Sequence, residues 1–414
     1  MQVPLDHPRL TALAERYGTP LWVYDAAVIR NRIAALRHFD VIRYAQKANS
    51  NLHVLRLMRE QGVLVDAVSA GEIDRALKAG YNAEGEPAGI VFTADVIDRD
   101  TLAKVAAHGI PVNAGSIDML DQLGAVAPGH RVWLRINPGF GHGHHNKVNT
   151  GGEHSKHGIW HEELAQAVAA VRRHGLRLAG LHLHIGSGVD YRHLQRVCGT
   201  MVELVRAAGH DLEAVSAGGG LTVNYRPDEP VVDTEHYFGL WDAARRRIEA
   251  QLGHAVRLEI EPGRYLTAES GLLLAEVRAV KRQGRNAFVL VDAGFTDLAR
   301  PAMYGSYHAA SLIPRGSPDL DRPLRDTVIA GPLCESGDVF TQEEGGTVVA
   351  RPLPAARVGD LVVFHDAGAY GATMSSNYNS RPLAPEVLLD GPEARLIRRR
   401  QTMEDLLALE QTEP

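Results

Sequence analysis

Along the first two-thirds of the chain the apolar positions follow two alternating rhythms. Short runs rich in β-branched residues read as strands: VIRYAQK (41–47), VLVDAVS (63–69), GIVFTA (89–94), IPVNAG (110–115), RVWLRINP (131–138), LAGLHLHIG (178–186), LEAVSAGGG (212–220) and RLEIEPG (257–263). Between them, segments such as HVLRLMREQG, GEIDRALKAG, RDTLAKVAAHG, HEELAQAVAAVRRHG and YRHLQRVCGTMVELVRAAG place apolar residues at helical spacing, and several stop at glycine. This alternation predicts a parallel sheet, and eight strands suffice to close a (β/α)8 barrel. An open doubly wound sheet is the rival, but its usual Gly-x-Gly-x-x-Gly after the first strand is absent.

After about residue 270 the rhythm changes. LLLAEVRAVKR, NAFVLVDAG, DTVIAGPL, DLVVFHDAG, APEVLLD and ARLIRRR are short runs separated by turn residues, with no comparable helices between them. They predict a mostly antiparallel β-domain. The expected division is a barrel over 23–269 and a β-domain built from 1–22 and 270–414. A last helix, near 402–410, opens on Thr402 with Asp405 three residues on, a capping-box pattern.

Polar residues gather at the predicted strand ends. Lys47, Asp66, Ser69, Thr93, Asn113, Arg135, Asn137, His184, Gly218 to Gly220 and Glu261 all fall there. In a barrel, the C-terminal strand ends share one mouth, where active sites are built. Strand ends are also wet, so one polar residue means little. A lysine, a histidine, a glycine turn and a glutamate at four ends form a constellation.

Composition narrows the classes. The net charge of −6 over 414 residues argues against a general nucleic-acid binder. Two cysteines, Cys198 and Cys334, make no disulfide framework and fit a reducing compartment. The first twenty residues show no continuous apolar segment of the signal-peptide kind, and no run is long enough to span a bilayer. A soluble cytoplasmic protein is the expectation.

Each candidate has an ordinary reading beside its chemical one. Lys47 is either a surface lysine or, desolvated in a barrel mouth, a Schiff-base nucleophile. SAGGGL (216–221) is a tight turn or a cradle of backbone N–H groups for a phosphate. In EPGR (261–264), Glu261 and Arg264 form an ion pair, or Glu261 holds a proton on a pyridine nitrogen while Gly263 and Arg264 offer donors to an anion. His184 in HLHIGSG is a structural histidine or a face stacked on a cofactor ring. Cys334, beside Glu335 in GPLCESGD, is packing or an exposed acid, whereas Cys198 lies in a helical pattern and reads as packing. Finally, FGHGHHNKVNTGGEHSKHGI (140–159) carries His142, His144, His145, His154 and His157. Histidine is the commonest metal ligand. A long loop at a catalytic mouth is nonetheless more often a binding loop, and no metal is expected.

YAQKANSN, HIGS, SAGGGL, EPGR, DAGFTDLARPAMYGSYH, GPLCESGD and GAYGATMSSNYNSRP together resemble the diaminopimelate decarboxylase family. These are pyridoxal-phosphate enzymes of fold type III, an alanine-racemase-like TIM barrel with a β-domain. The resemblance covers nearly the whole chain, in order. It implies decarboxylation of meso-2,6-diaminopimelate to L-lysine, with pyridoxal 5'-phosphate as cofactor. The catalytic residues it implies are Lys47 as the Schiff-base lysine, Cys334 as proton donor and His184 stacked on the ring. The expected cofactor contacts are Lys47, Asp66, His184, Ser187, Gly218, Gly219, Gly220, Glu261, Gly263, Arg264 and Tyr370. The expected substrate contacts are Arg264, Arg300, Tyr304, Glu335 and Tyr370. The resemblance also implies a homodimer whose active sites are shared across the interface. Gln46, His157 and Thr296 depart from the commonest family spelling, and none has an assigned chemical role. The rival activity is decarboxylation of another basic amino acid (ornithine, arginine or lysine) or of carboxynorspermidine. A racemase, a non-catalytic homologue and a metal-dependent barrel hydrolase are weaker rivals.

Overall fold

The computed structural model describes residues 6–141, 151–184, 186, 190–315 and 322–410. By internal contacts the chain forms two compact units. One comprises Arg32–Thr222 and Val231–Tyr265; the other comprises Met1–Asn31, Val223–Pro230 and Leu266–Pro414.

The first unit is a closed parallel barrel. Its eight strands are Val41–Ala45, Leu64–Ala67, Ile90–Ala94, Val112–Ala114, Arg131–Asn137, Arg177–Leu183, Ala214–Ser216 and Arg257–Ile260. Each pairs in parallel with the next, and the eighth returns to the first through Glu259↔Val41 and Ile260↔Ile42. That closure eliminates the open-sheet rival. A short strand, Ile159–Trp160, adds to the end of the fifth.

The strands are shorter than the apolar runs that announced them, mainly at their C-terminal ends. The seventh stops at Ser216 because Gly218 takes φ +62°, which no extended strand accommodates. The predicted strand ends are therefore mouth loops. Side-chain caps hold the flanking helices: Ser69 accepts from Glu72 N–H, Asp98 from Thr101, Asp190 from Arg192 and Asp233 from His236.

The second unit is a mixed sheet of nine strands. Leu21–Asp25 lies inside it, antiparallel to Gly271–Gln283 and parallel to Glu386–Asp390. A second parallel pair joins Asn286–Val291 to Leu324–Ala330, and the remaining pairings are antiparallel. The helix His7–Tyr17 packs Leu10 and Leu13 against Leu21, Val23, Leu272, Leu274, Val363 and Val387. At the C-terminal end Thr402 and Asp405 form the expected capping box on Met403–Leu407. Among the described residues, no helix is long and apolar enough to cross a membrane.

Candidate active site

The barrel mouth is organised around Glu261, which follows the eighth strand. Its Oε2 lies 2.7 Å from His182 Nε2, and its Oε1 accepts from Ser216 Oγ at 2.9 Å. All three residues are buried. Burial by itself pushes the Glu261 carboxyl up. The His182 charge and hydrogen bond, the Ser216 hydroxyl and the Arg43 charge outweigh it and hold the group down at about 2. Glu261 is thus a fixed carboxylate.

Asp66, from the end of the second strand, goes the other way. It is buried and the Glu261 charge faces it, and together these push its carboxyl well above its ordinary range, against the Thr93 hydroxyl and the Lys47 charge. Two carboxyls in one mouth are therefore set apart by their surroundings, one held down and the other pushed up.

His184 is half-buried, and its Nδ1 accepts the Gly219 N–H at 2.9 Å. Burial, with Arg135 and Lys47 nearby, drives its pKa far down, so the ring is neutral and carries its hydrogen on Nε2. The His182 and His184 rings lie stacked with centroids 6.5 Å apart. Lys47 sits in a short 3-10 turn directly after the first strand and is exposed. Arg264 opens the helix Arg264–Thr267 behind Gly263, where a Cβ would come within 3.1 Å of Ala45 O.

The glycine turn is tighter than an anion cradle alone requires. A Cβ at Gly218 would lie 2.2 Å from Leu183 O, and one at Gly220 would lie 2.4 Å from Gly186 O. The Gly218 N–H donates to Ser216 Oγ and the Gly219 N–H to His184 Nδ1. Two of the three amides therefore fix the strand-end side chains. Ser187 lies outside the described residues.

The remaining predicted residues belong to the sheet unit. Arg300 is buried, and its Nη1 donates to His308 Nε2 at 2.9 Å. Tyr304, half-buried, ends the same short helix, Arg300–Tyr304. Cys334 and Glu335 are exposed on a turn braced by Asp338, whose carboxylate accepts the Phe295 and Leu333 N–H groups. The Cys334 N–H donates to Asn379 Oδ1 at 3.0 Å. Tyr370 is half-buried and takes φ +56°, an unusual conformation for a non-glycine residue. Cys198 is buried, and burial pushes its thiol up to about 12, as suits packing.

Of the five loop histidines, His142, His144 and His145 lie outside the described residues. His154 is exposed. His157 Nδ1 pairs with Asp95 Oδ2, and the Gly158 N–H donates to the other Asp95 oxygen at 2.8 Å. At the same loop base, Asn137 Oδ1 accepts the Gly139 and Gly152 N–H groups. Among the described residues, no group of three His, Cys, Asp or Glu side chains could hold a metal ion.

His182, Ser216 and Asp95 were not singled out from the sequence. A signal was present for the first two. Positions two apart on a strand share a face, so His182 faces as His184 does and Ser216 lies two before Gly218. Asp95 gave none, because its partner His157 lies across a long loop.

A barrel with these residues at its mouth defines a class, and comparison with known proteins agrees. The family described as "Pyridoxal-dependent decarboxylase, pyridoxal binding domain" matches residues 26–268. A diaminopimelate decarboxylase of Streptomyces coelicolor is 67% identical over 406 residues, which span 98% of this chain and 92% of that protein. One from Escherichia coli is 65% identical over 402 residues, 97% of this chain and 96% of that protein. A crystal structure of diaminopimelate decarboxylase matches with a TM-score of 0.95 at 64% identity, covering 97% of this chain and 96% of that one. The Helicobacter pylori enzyme complexed with L-lysine matches with a TM-score of 0.85 at 31% identity, covering 97% and 98%. The chain belongs to the diaminopimelate decarboxylase family.

The residues present fit the family's cofactor. The fixed Glu261 carboxylate suits a protonated ring nitrogen. The glycine turn is bare of side chains, since a Cβ at Gly218 or Gly220 would strike the Leu183 or Gly186 carbonyl.

Proposed function

We propose that this chain removes one carboxylate of meso-2,6-diaminopimelate as carbon dioxide and yields L-lysine. The observation that carries the reading is Glu261, held as an anion on both oxygens at the mouth of a barrel whose first strand is followed by the turn bearing Lys47. Pyridoxal phosphate, when bound, supplies an electron sink for the pair left on the α-carbon. Lys47 would hold it covalently, Glu261 would keep the proton on its ring nitrogen, and His184 would lie against its face. Asp66 would be a further contact to it. Ser187, Gly220 and the Gly263 and Arg264 amides would serve its phosphate, with Gly218 and Gly219 shaping the turn. Tyr370 would touch both cofactor and substrate.

Recognition of the distal end is electrostatic. That end is a zwitterion, so it needs both signs of charge. Arg264 and Arg300 supply cations, Glu335 supplies the anion, and Tyr304 adds a hydroxyl. A site built for both charges rejects a substrate lacking one, because its own group is left unpaired. Cys334 delivers the proton to the α-carbon after carbon dioxide leaves. The working form is a cytoplasmic homodimer in which Cys334 and Glu335 of one subunit serve the lysine of the other.

The test is carbon dioxide release from meso-diaminopimelate, lysine, ornithine and arginine, alongside the visible absorbance of the bound cofactor. Turnover of diaminopimelate alone is expected. Turnover of ornithine without diaminopimelate overturns the substrate. A cofactor band that survives Lys47→Ala overturns the lysine, and near-normal turnover in Cys334→Ala overturns the acid.

A further inference from the structure

Arg300 is held by a histidine whose protonation state the surrounding geometry dictates. His308 is buried, with its Nδ1 2.9 Å from the backbone carbonyl of His365 and its Nε2 2.9 Å from Arg300 Nη1. A carbonyl oxygen only accepts, and a guanidinium only donates. Nδ1 therefore carries the hydrogen and Nε2 presents its lone pair. Only one neutral tautomer satisfies both ends. The other would face a lone pair to the carbonyl, and the protonated ring would set N–H against N–H.

The anchoring side is rigid. His308 leads into the strand Ala310–Ile313, which pairs with Leu361–Phe364 in the register Ala310↔Phe364. Across that pair, the His365 N–H donates to Ala309 O at 2.9 Å, and His365 Nε2 lies 2.6 Å from Ser311 Oγ. Arg351 Nη1 donates to the His308 carbonyl at 2.9 Å. On the other side, the Arg300 guanidinium lies over the Tyr225 ring at 4.8 Å, and its Nη2 reaches Ser306 Oγ at 3.3 Å. The planar guanidinium is thus fixed in plane by His308 and in tilt by Tyr225.

We propose that His308 is a positioning residue for substrate binding: as a neutral acceptor, it fixes the plane in which Arg300 meets a substrate carboxylate. The proposal rests on the reading that Arg300 binds substrate. A histidine that served only to tie two strands would need its Nδ1 bond and not its Nε2 bond.

Two substitutions separate these roles. In His308→Gln, the side-chain oxygen reaches the Nε2 position and keeps the acceptor for Arg300 while losing the bond to His365. In His308→Asn, the amide nitrogen takes the Nδ1 position and keeps the bond to His365 while losing the acceptor. With the holoenzyme and meso-diaminopimelate, His308→Asn is expected to raise KM about tenfold or more, with kcat changed far less. His308→Gln is expected to restore most of that loss. The reverse order, or a fall in kcat alone, overturns the proposal.

A second arm combines His308→Asn with Arg300→Ala. No further rise in KM over Arg300→Ala alone is expected, and an undiminished effect overturns the positioning role. If Arg300→Ala by itself leaves KM unchanged, the substrate reading of Arg300 fails and the proposal falls with it. A third arm needs no variant that might misfold. In wild-type holoenzyme labelled with ¹⁵N-histidine, the His308 signals are expected to show the neutral Nδ1–H tautomer; an Nε2–H or doubly protonated pattern overturns it.

Discussion

His182 Nε2 meets Glu261 Oε2 at 2.7 Å in the barrel mouth, and the pair is buried. With Ser216 on the second oxygen, this contact decides the charge of the residue on which the proposed chemistry depends. Burial alone pushes the Glu261 carboxyl up, and His182 is the largest of the groups that offset it.

His182→Phe therefore shifts the pH dependence of turnover in a defined direction. The Glu261 carboxyl, freed of its main stabilising partner, rises from about 2 toward or above its ordinary value of 4.5. Below the new value it is protonated and no longer matches a cationic ring nitrogen. The acid limb of kcat is expected to move up by at least about one pH unit, with less movement in His182→Gln, which retains a donor. An unmoved limb in a folded His182→Phe holoenzyme would separate His182 from Glu261. Stability carries the matching sign: a depressed carboxylate stabilises the fold above its ordinary value, and that contribution is lost as pH falls from about 4.5 to about 2.

Glu261→Gln keeps the shape and removes the charge. Turnover is expected to fall by about a hundredfold or more, the scale of losing one preorganised electrostatic group. The visible cofactor band should persist, since Lys47 is untouched. Turnover within about threefold of wild type would show that the ring nitrogen needs no anion.

How much of this was legible beforehand differs between the two units. The barrel strands announced themselves because each is a local apolar run; their number allowed closure, and the Glu259↔Val41 pairing shows it. In the sheet unit the key pairings are non-local. Leu21–Asp25 pairs with Glu386–Asp390 from the far end of the chain, and nothing in LWVYD names that partner. The two parallel pairs were hidden for the same reason, while the remaining pairings are antiparallel and the mostly antiparallel expectation holds. In the site, Lys47, His184 and Glu261 stood out because strand-end chemistry and a family resemblance point at the same positions. His182 and Ser216 read as strand interior, and only their two-residue spacing from His184 and Gly218 hinted that they share the mouth-facing side.

The base of the histidine-bearing loop offers a smaller test. Asp95 accepts from Gly158 N–H and pairs with His157, and these contacts with the Arg135 charge hold its carboxyl below its usual range against burial. His157→Ala removes one of the ties at the mouth. KM for diaminopimelate is expected to rise about two- to fivefold, with unchanged metal content by elemental analysis, as losing one hydrogen bond at a part-buried site implies. Loss of a stoichiometric metal would restore the metal reading of the loop.

Within the barrel, Arg43 Nε and Glu259 Oε2 form a buried ion pair at 2.6 Å, and Arg43 Nη1 also donates to Ala88 O. Glu259↔Val41 is part of the register that closes the barrel, so the pair sits on the closing seam. Glu259→Ala leaves a buried guanidinium without its carboxylate and is expected to cost about 3–5 kcal/mol in urea unfolding. Double replacement by apolar residues of similar volume should recover much of that loss. A single substitution costing under about 1 kcal/mol would mean that water reaches the seam.

Asp297 in the sheet unit makes the opposite pH prediction to Glu261. Burial pushes its carboxyl up to about 6, against the Gly294 N–H that bonds it at 3.0 Å and the Arg381 charge. The acid is raised, so its contribution to stability is complete below the ordinary value of 3.8 and is lost as pH rises through about 6. Asp297→Asn keeps an acceptor for the Gly294 N–H and has no charge to bury. At pH 4 the variant and wild type should unfold at similar urea concentrations. At pH 7.5 the variant should be more stable by about 1–3 kcal/mol, given roughly 1.4 kcal/mol for each pKa unit. A variant destabilised equally at both pH values would show instead that the carboxylate is retained as an ion beside Arg381.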